Sequence, residues 1–326
     1  MIVCRQTAVV LAGSMCIAIH AHAQEKPAEY PKRPIRVVVG IAPGGGLDTM
    51  TRVAAQKLGE RFGQTAVVDN RPGGGTVLGM DLVQQAAPDG YTLLCASETL
   101  MLNGVLKRAR YDVRKAFVPI VRLTTQPYIL VVNPSLPVAS VKELIAHARA
   151  RPGVLSYGTP GVGTALHIGW ERFTAMASVE ILHVPYRGGA LAVIDVMSGE
   201  IQMVITTTIT AGAHIKGGKL KAVAVTGPKR VQVYPDVPTV SESGLPGFEL
   251  TNSYGFFAPA GTPMAIVGKI NAAVIQVMHS PETRKALAAD GAEAAPPATP
   301  EEFRAKFERD YAELEKTITA ANIKLH

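Results

Sequence analysis

Runs of β-branched residues alternate with helical patterns along most of this chain, and this alternation limits the fold more than any other feature. The run "IRVVVGIA" is continuously apolar, as in a strand that is covered on both faces. Apolar residues then recur at helical spacing from Leu47 to Phe62, before the strand-like "TAVVDN". A second helical segment, to about Ala87, leads into the strand-like "DGYTLLCAS". This β-α-β-α-β order predicts a doubly wound α/β fold with a parallel sheet.

The same layout recurs in the second half of the chain with a different sequence. "YILVVN" predicts a strand, and glycine loops, helices and the strand-like "IQMVITT" and "KAVAVT" follow it. After the strand-like "SYGFFAPAG", three predicted helices close the chain and need a sheet to cover. We therefore expect residues 24–124 and 254–326 to form domain 1 and residues 125–253 to form domain 2. The two crossings should lie near 124–128 and 252–256, with a ligand cleft between the domains.

The first 23 residues have the pattern of a secretory signal peptide. Arg5 precedes the apolar "TAVVLAGSMCIAI", and "AHA" gives a small-x-small cleavage site after Ala23. We therefore expect an exported protein in the periplasm; "SMC" is a poor lipoprotein signal, and a lipid anchor is the alternative. Only Cys95 remains after this cleavage, so an internal disulfide is excluded from the mature chain.

Charge and composition narrow the expected partners. The formal net charge is +7, but the basic residues are scattered and few aromatic residues lie between them. This pattern argues against nucleic-acid binding, whereas a mild positive field suits a small anionic ligand. The histidines after residue 23 are dispersed, which gives no support to a metal site. We expect a monomer without a cofactor.

Two strand–glycine–helix junctions are the candidate ligand-binding segments. "IAPGGGLDTMTR" places Pro43 and three glycines between the first strand and its helix, and "SYGTPGVGTALHIGW" repeats the arrangement in the second half. Such a junction offers backbone N–H groups at the positive end of a helix, and glycine lets a ligand approach closely. If the domains face each other, both helix N-termini point into one cleft and can hold an anion without a basic side chain.

The spacing of these residues excludes several other kinds of site. The first junction lacks the GK[ST] of a P-loop, and neither junction has the G-x-G-x-x-G of a dinucleotide site. The chain contains neither a G-x-S-x-G nucleophile elbow nor H-E-x-x-H. Asp48, Glu98 and His167 are the candidate titratable groups, and they form no recognisable acid–base constellation. We therefore expect no enzymatic activity.

Several longer segments are specific enough to indicate relatives. They are "YPKRPIRVVVGIAPGGGLDTMTRVAAQKLGERFGQTAVVDNRPGGG", "APDGYTLL", "YGTPGVGTALHIGWERF", "HVPYRGGALAVIDVMSGEI", "GKLKAVAVTGPKRVQVYPDVPTVSESGLPGFE" and "GFFAPAGTP". In this order, over nearly all of the chain after residue 23, they resemble the Bug/TctC receptors, the extracytoplasmic solute-binding proteins of tripartite tricarboxylate transporters. The resemblance implies a type II periplasmic-binding-protein fold and a carboxylate ligand held largely by backbone groups of two facing loops.

The resemblance also implies which residues bind the ligand. In domain 1 they are Gly45, Gly46, Leu47, Asp48, Ser97, Glu98 and Thr99. In domain 2 and at the crossover they are Thr159, Gly161, Val162, Gly163, Thr164, Arg187, Gly188, Gly189, Asp195, Thr206, Thr207 and Tyr254. Three alternatives stay open, since Asp48 could instead cap its helix, Arg187 could be a surface arginine and Asp195 could brace a loop.

The expected function is capture of a small organic carboxylate by domain closure and its delivery to membrane transporter subunits. One alternative is an exported isomerase or transferase that acts on small acids in the same cleft. Another is a sensor that presents the closed form to a signalling partner. The sequence does not choose among mono-, di- and tricarboxylates.

Overall fold

A computed structural model describes residues 29–321 of the chain, so the predicted signal peptide at residues 1–23 lies outside the described part. The strands are β1 (Ile35–Val39), β2 (Ala66–Asn70), β3 (Thr92–Ala96), β4 (Phe117–Val132), β5 (Ser156–Thr159), β6 (Leu182–Pro185), β7 (Met203–Thr207), β8 (Lys221–Val225), β9 (Thr251–Pro259) and β10 (Glu293–Ala294). The α-helices are α1 (Gly46–Phe62), α2 (Val77–Gln84), α3 (Thr99–Val105), α4 (Val113–Ala116), α5 (Val141–Ala150), α6 (Ala165–Ala177), α7 (Gly189–Ser198), α8 (Thr208–Lys216), α9 (Met264–Met278), α10 (Pro281–Ala289) and α11 (Pro300–Ala321).

The strands form two regions of sheet that share β4. In the first, β1 runs parallel to β2 and β3, which confirms the predicted parallel unit, and β9 pairs antiparallel with β3 and β4. In the second, β4 pairs antiparallel with β7 and β8, and β5 runs parallel to β6 and β7. We call the first region, with its helices, lobe 1 and the second lobe 2. The predicted two-domain α/β fold is confirmed.

The long strand β4 connects the lobes. Its residues up to Pro127 pair with β9, and Tyr128 onward pair with β7 and β8. The sequence predicts this strand only from Tyr128, whereas it begins at Phe117. A proline has no N–H donor and argues against a strand interior, but here the register shifts just after Pro119, and such a bulge accommodates it. The domain boundaries drawn from the sequence stay a prediction.

Each lobe has its own apolar core. In lobe 1, the apolar stripe of α9 packs against β1 and β9, and α11 packs its aromatic residues against β3 and β9. The closing helices therefore cover the lobe 1 sheet, as the sequence predicts. In lobe 2, the core contains Trp170, whose ring stacks on Tyr157 with 4.6 Å between the ring centroids. Within residues 29–321, no helix is both long and apolar enough to cross a bilayer.

Candidate ligand-binding site

A cavity of about 60 Å³ lies between the lobes, where the glycine loops of the two junctions meet. Its lining residues are Ile41, Gly45, Gly46, Leu47, Thr76, Ser97, Thr99, Tyr128, Pro160, Thr164, Ala165, Leu166, Gly189, Thr206, Thr207, Thr210 and Tyr254. None of these lining residues has a charged side chain. Any charge on a ligand must therefore be met by backbone dipoles and hydroxyl groups.

Among the helices that begin at this cavity are α1, α6, α7 and α8. Gly45 and Gly188 precede α1 and α7 and provide no side-chain cap, so the N–H groups of these first turns are not taken by a side chain. Thr164 and Thr207 precede α6 and α8 and accept a backbone N–H from the first turn of each helix. Because each helix start carries a partial positive charge, the four together favour an anion in the cavity.

Hydroxyl groups supply the other polar surface of the cavity. They belong to Thr76, Ser97, Thr99, Tyr128, Thr164, Thr206, Thr207, Thr210 and Tyr254. A hydroxyl can donate to a carboxylate oxygen or accept from a protonated group, so the lining adapts to ligands with several oxygen atoms. A hydrogen bond to a charged group contributes about 1.5–3 kcal/mol.

Direct contacts hold the lobes together around the cavity. The backbone N–H of Ala42 donates to the carbonyl of Arg187 at 2.9 Å, and that of Ala165 donates to Thr99 Oγ1 at 3.2 Å. The guanidinium of Arg108, in lobe 1, donates to the carbonyl of Val162 in lobe 2. These contacts define a closed arrangement of the two lobes.

At Gly46 the two lobes approach each other closely beside the cavity. A Cβ atom added to Gly46 would lie 2.3 Å from Thr207 Oγ1, 2.9 Å from its Cγ2 and 3.0 Å from its Cβ. Rotation of the Thr207 side chain would not relieve this clash, because it would bring another Thr207 atom close to the added Cβ. The closed arrangement therefore requires glycine at position 46.

Asp48 lies behind the first glycine loop and does not line the cavity. The residue is 2% exposed, and its carboxylate accepts hydrogen bonds from Gly44 N at 2.9 Å, from Asn70 Nδ2 at 2.8 Å and from Arg52. Burial alone would raise the pKa of Asp48, but these donors, Arg52 foremost, hold it below its usual value. The geometry supports a role in bracing the loop.

The second glycine loop is braced by two stacked histidines. The backbone N–H of Gly163 donates to His167 Nδ1 at 3.1 Å, and Thr159 Oγ1 lies 2.6 Å from His183 Nε2. The two imidazole rings stack with 4.0 Å between their centroids. Burial lowers the pKa of each to about 4, so both rings are neutral at neutral pH, as the bond from Gly163 requires. Gly163 itself has a φ of +75°, which favours glycine.

Ten of the predicted site residues line the cavity, and the others surround it. Those outside the lining are Asp48, Glu98, Thr159, Gly161, Val162, Gly163, Arg187, Gly188 and Asp195. The side chain of Arg187 is exposed, and Asp195 accepts a 2.6 Å hydrogen bond from Tyr186 Oη, which braces the loop before α7. Glu98 lines a neighbouring cavity. Ligand contact stays a prediction for all of these site residues.

Sequence reasoning missed several residues that form or close the cavity. They are Ile41, Thr76, Arg108, Tyr128, Pro160, Ala165, Leu166 and Thr210. Thr210 could have been found, because it stands three residues after Thr207, whose side chain caps α8. Arg108 and Tyr128 come from segments without a motif. Among residues 29–321, no cluster of three or more potential metal ligands occurs.

Two α/β lobes that close over a cleft lined by helix N-termini define the class of periplasmic binding proteins. A model of the tripartite tricarboxylate transporter family receptor, TctC, matches residues 50–322. The chain therefore belongs to this family, which confirms the resemblance found in the sequence.

Known proteins support the assignment over nearly the whole chain. Protein BugT of Bordetella pertussis is 35% identical over 266 residues, covering 81% of this chain and 82% of BugT. The structure of Rpa4515 from R. palustris with adipate is 32% identical with a TM-score of 0.86, covering 90% of this chain and 99% of the other. MatC from Rhodopseudomonas palustris with bound malate is 29% identical with a TM-score of 0.84, covering 89% and 100%.

Proposed function

We propose that this protein binds a small organic carboxylate between its lobes and delivers it to the membrane subunits of a tripartite tricarboxylate transporter. The observation that carries the proposal is the uncharged cavity at four helix N-termini, lined by hydroxyl groups. The adipate and malate bound by the similar Rpa4515 and MatC support the same ligand class.

Binding would act through closure of the lobes. Lobe 1 contributes Gly46 and Thr99 to the cavity, and lobe 2 contributes Thr164 and Thr207, so a ligand meets both walls only when the lobes are closed. A ligand shifts an open–closed equilibrium by its difference in affinity for the two states. The closed form is then the one that a membrane subunit would recognise.

The size of the cavity limits which acids it can hold when the lobes are closed as in this structure. By this measure one water needs about 10–15 Å³, so 60 Å³ holds about four to six water-sized groups. Malate and adipate have more non-hydrogen atoms than this. We infer that acids of their size hold the lobes slightly farther apart than in the present arrangement, whereas smaller acids fit it directly.

The protein would act in the periplasm after cleavage behind Ala23, as a monomer and without catalysis. Membership of a periplasmic receptor family supports this location. The absence of catalysis is supported by the three titratable groups singled out in the sequence. Asp48 is held by three partners and His167 accepts from Gly163, while Glu98 lies outside the cavity lining. They therefore form no acid–base pair around a ligand.

A thermal-shift panel tests the proposal. The probes are malate, adipate, citrate, glutamate and benzoate, each paired as a control with the amide in which every carboxylate is replaced. A binding acid at 100 times its Kd should stabilise the protein by about 2.7 kcal/mol and raise the melting temperature, whereas its amide should not. No response to any acid, or equal responses to an acid and its amide, would contradict anion binding by the helix N-termini. Ligand-dependent co-purification of membrane transporter subunits tests the delivery step.

A further inference from the structure

A second and larger cavity, of about 500 Å³, lies beside the cleft where the lobes join. Its walls come from α11, from the connecting strands β4 and β9, and from α6 of lobe 2. Ser97 and Ala165 line both this hinge cavity and the cleft cavity, so the two are neighbours. Its volume is within the range of about 300–1,000 Å³ that is typical of small-molecule sites.

One part of the hinge cavity is apolar. Phe257 on β9 and Phe303 and Phe307 on α11 form this part of the wall, and Leu314 and Ile168 extend it along α11 and α6. Phe257 packs against both other phenylalanine rings, with centroid distances of 5.4 and 5.7 Å. Such a surface suits the hydrocarbon part of a ligand.

The polar part of the hinge cavity contains groups without protein partners. Arg122 Nε, Thr125 Oγ1 and Glu98 Oε2 are buried and form no hydrogen bond within the described residues. None of the ion pairs among residues 29–318 includes Arg122. A buried polar group without a partner costs about 1–3 kcal/mol, so each of these groups favours a ligand atom that satisfies it.

The remaining charges in the wall do not compensate Arg122. Lys306 pairs with Asp310 at 2.8 Å, and the guanidinium of Arg172 donates to the backbone carbonyls of residues 247 and 249. The acidic residues at 249 and 313 are exposed to solvent. Burial raises the pKa of Glu98 to about 8, so at neutral pH its carboxyl group is mainly protonated and can donate a hydrogen bond. The buried part of the cavity therefore favours an anion.

We propose that the hinge cavity is a second binding site, for an amphipathic carboxylate whose head group pairs with Arg122 and whose hydrocarbon part packs on the phenylalanine wall. This ligand class differs from that of the cleft, where the cavity is small and has no charged side chain. Because both lobes contribute walls, an occupant of the hinge cavity would change how readily the lobes open. A ligand in the hinge cavity would thus regulate opening of the receptor in addition to the cleft ligand.

Isothermal titration with octanoate tests this proposal on the full-length mature protein. Wild type is compared with Arg122→Gln, with Gly46→Ala, which obstructs closure at the cleft, and with Arg284→Gln, an exposed arginine on α10 as the matched control. We expect octanoate to bind wild type and Arg284→Gln with Kd values within about threefold of each other, and Arg122→Gln at least about tenfold more weakly. Gly46→Ala should still bind octanoate, with a Kd that shifts only as far as lobe opening is coupled to the hinge cavity. The acid that gives the largest shift in the thermal panel should still stabilise Arg122→Gln.

Two results would overturn the hinge site. One is a wild type that does not bind octanoate at millimolar concentration. The other is octanoate binding that Gly46→Ala abolishes and Arg122→Gln retains, since octanoate would then occupy the cleft. If circular dichroism shows that Arg122→Gln does not fold, Leu314→Glu replaces it in the test. This variant places a negative charge on the α11 wall without altering the hinge strands. That variant must also weaken octanoate at least about tenfold for the proposal to stand.

Discussion

Replacement of Gly46 by alanine should leave the fold intact and prevent full closure. The new methyl group would lie 2.3 Å from Thr207 Oγ1 across the cleft, whereas ordinary van der Waals contact begins at about 3.4 Å. The walls must therefore separate by about 1 Å, from 3.4 − 2.3 Å. Alanine is also a better helix residue than glycine by up to about 1 kcal/mol, so the first turn of α1 should not lose stability.

The loss of affinity follows from the hydrogen bonds that this separation breaks. The bond from Ala42 N to Arg187 O, now 2.9 Å, would stretch to about 3.9 Å and no longer count as a hydrogen bond. One neutral bond contributes about 0.5–1.5 kcal/mol, and one bond to a charged ligand contributes about 1.5–3 kcal/mol. Together they predict a loss of roughly 2–4.5 kcal/mol, or about 30- to 2,000-fold in Kd.

Two assays check this prediction. Calorimetric titration with lactate and oxalate, which are small enough for the closed cavity, gives the affinities, and small-angle scattering at saturating ligand should show a larger radius of gyration for Gly46→Ala than for wild type. Gly268→Ala is the matched control, because a Cβ there meets no atom within 4 Å. An affinity for Gly46→Ala within about threefold of wild type, with unchanged scattering, would refute the closure argument.

Two further variants test the contact between the lobes and the core of lobe 2. Arg108→Met removes the hydrogen bond from Arg108 to the Val162 carbonyl and should weaken ligand binding by about 10- to 100-fold, as measured by calorimetry. The control is Arg110→Met, an exposed neighbour, which should bind with wild-type affinity. Phe173→Ala creates a cavity in the lobe 2 core and should lower the free energy of unfolding by about 3–5 kcal/mol. Urea titration checks this through the fluorescence of Trp170, the one tryptophan of the chain, and an unchanged midpoint would contradict it.

The parts of the fold that the sequence predicts are those encoded locally. The strand at Ile35–Val39 and the helix from Gly46 follow from a β-branched run, a glycine turn and helical spacing within one short segment. The first half of β4 escapes prediction because its prolines oppose a strand locally. Pairing with β9 and β10, both from distant parts of the chain, stabilises it there. Local propensity therefore gave way to tertiary pairing at the connection between the lobes.

The residues of the candidate site likewise divide into those with a local sequence signal and those without one. The two glycine loops allow the helix N-termini at the site to be predicted from the sequence. Glycines directly before a helix, at matching positions in both halves of the chain, indicate backbone N–H groups that a ligand can approach. Arg108 and Tyr128 carry no such pattern, since they reach the cleft only when the lobes are assembled. Asp48 stood open between ligand contact and bracing, and its three hydrogen-bond donors could not be read from spacing alone. The role and the pKa of such a carboxylate depend on its burial and its hydrogen-bond partners, which are known only from the fold.

The stacked pair His167 and His183 should make the protein lose stability as the pH falls from about 6.5 to about 4. Burial lowers the pKa of each ring from 6.5 to about 4. In that window the unfolded chain takes up protons that the folded chain does not, so the free energy of unfolding decreases as the pH falls. For His167, with its side chain 4% exposed, this lowering of the pKa corresponds to on the order of 3 kcal/mol in the free energy of unfolding.

Protonation would also loosen the ligand loop. A proton on His167 Nδ1 removes the acceptor for the Gly163 N–H, and Glu171, 3.6 Å from Nε2, compensates little because it is partly exposed and already accepts from Tyr157 Oη. His167→Gln removes one of the two titrating groups, so between pH 6.5 and 4 its stability should fall less steeply than that of wild type. Urea unfolding at a series of pH values, with both proteins referenced to pH 7.5, measures the two slopes. Parallel slopes would show that the buried pair does not govern the acid sensitivity.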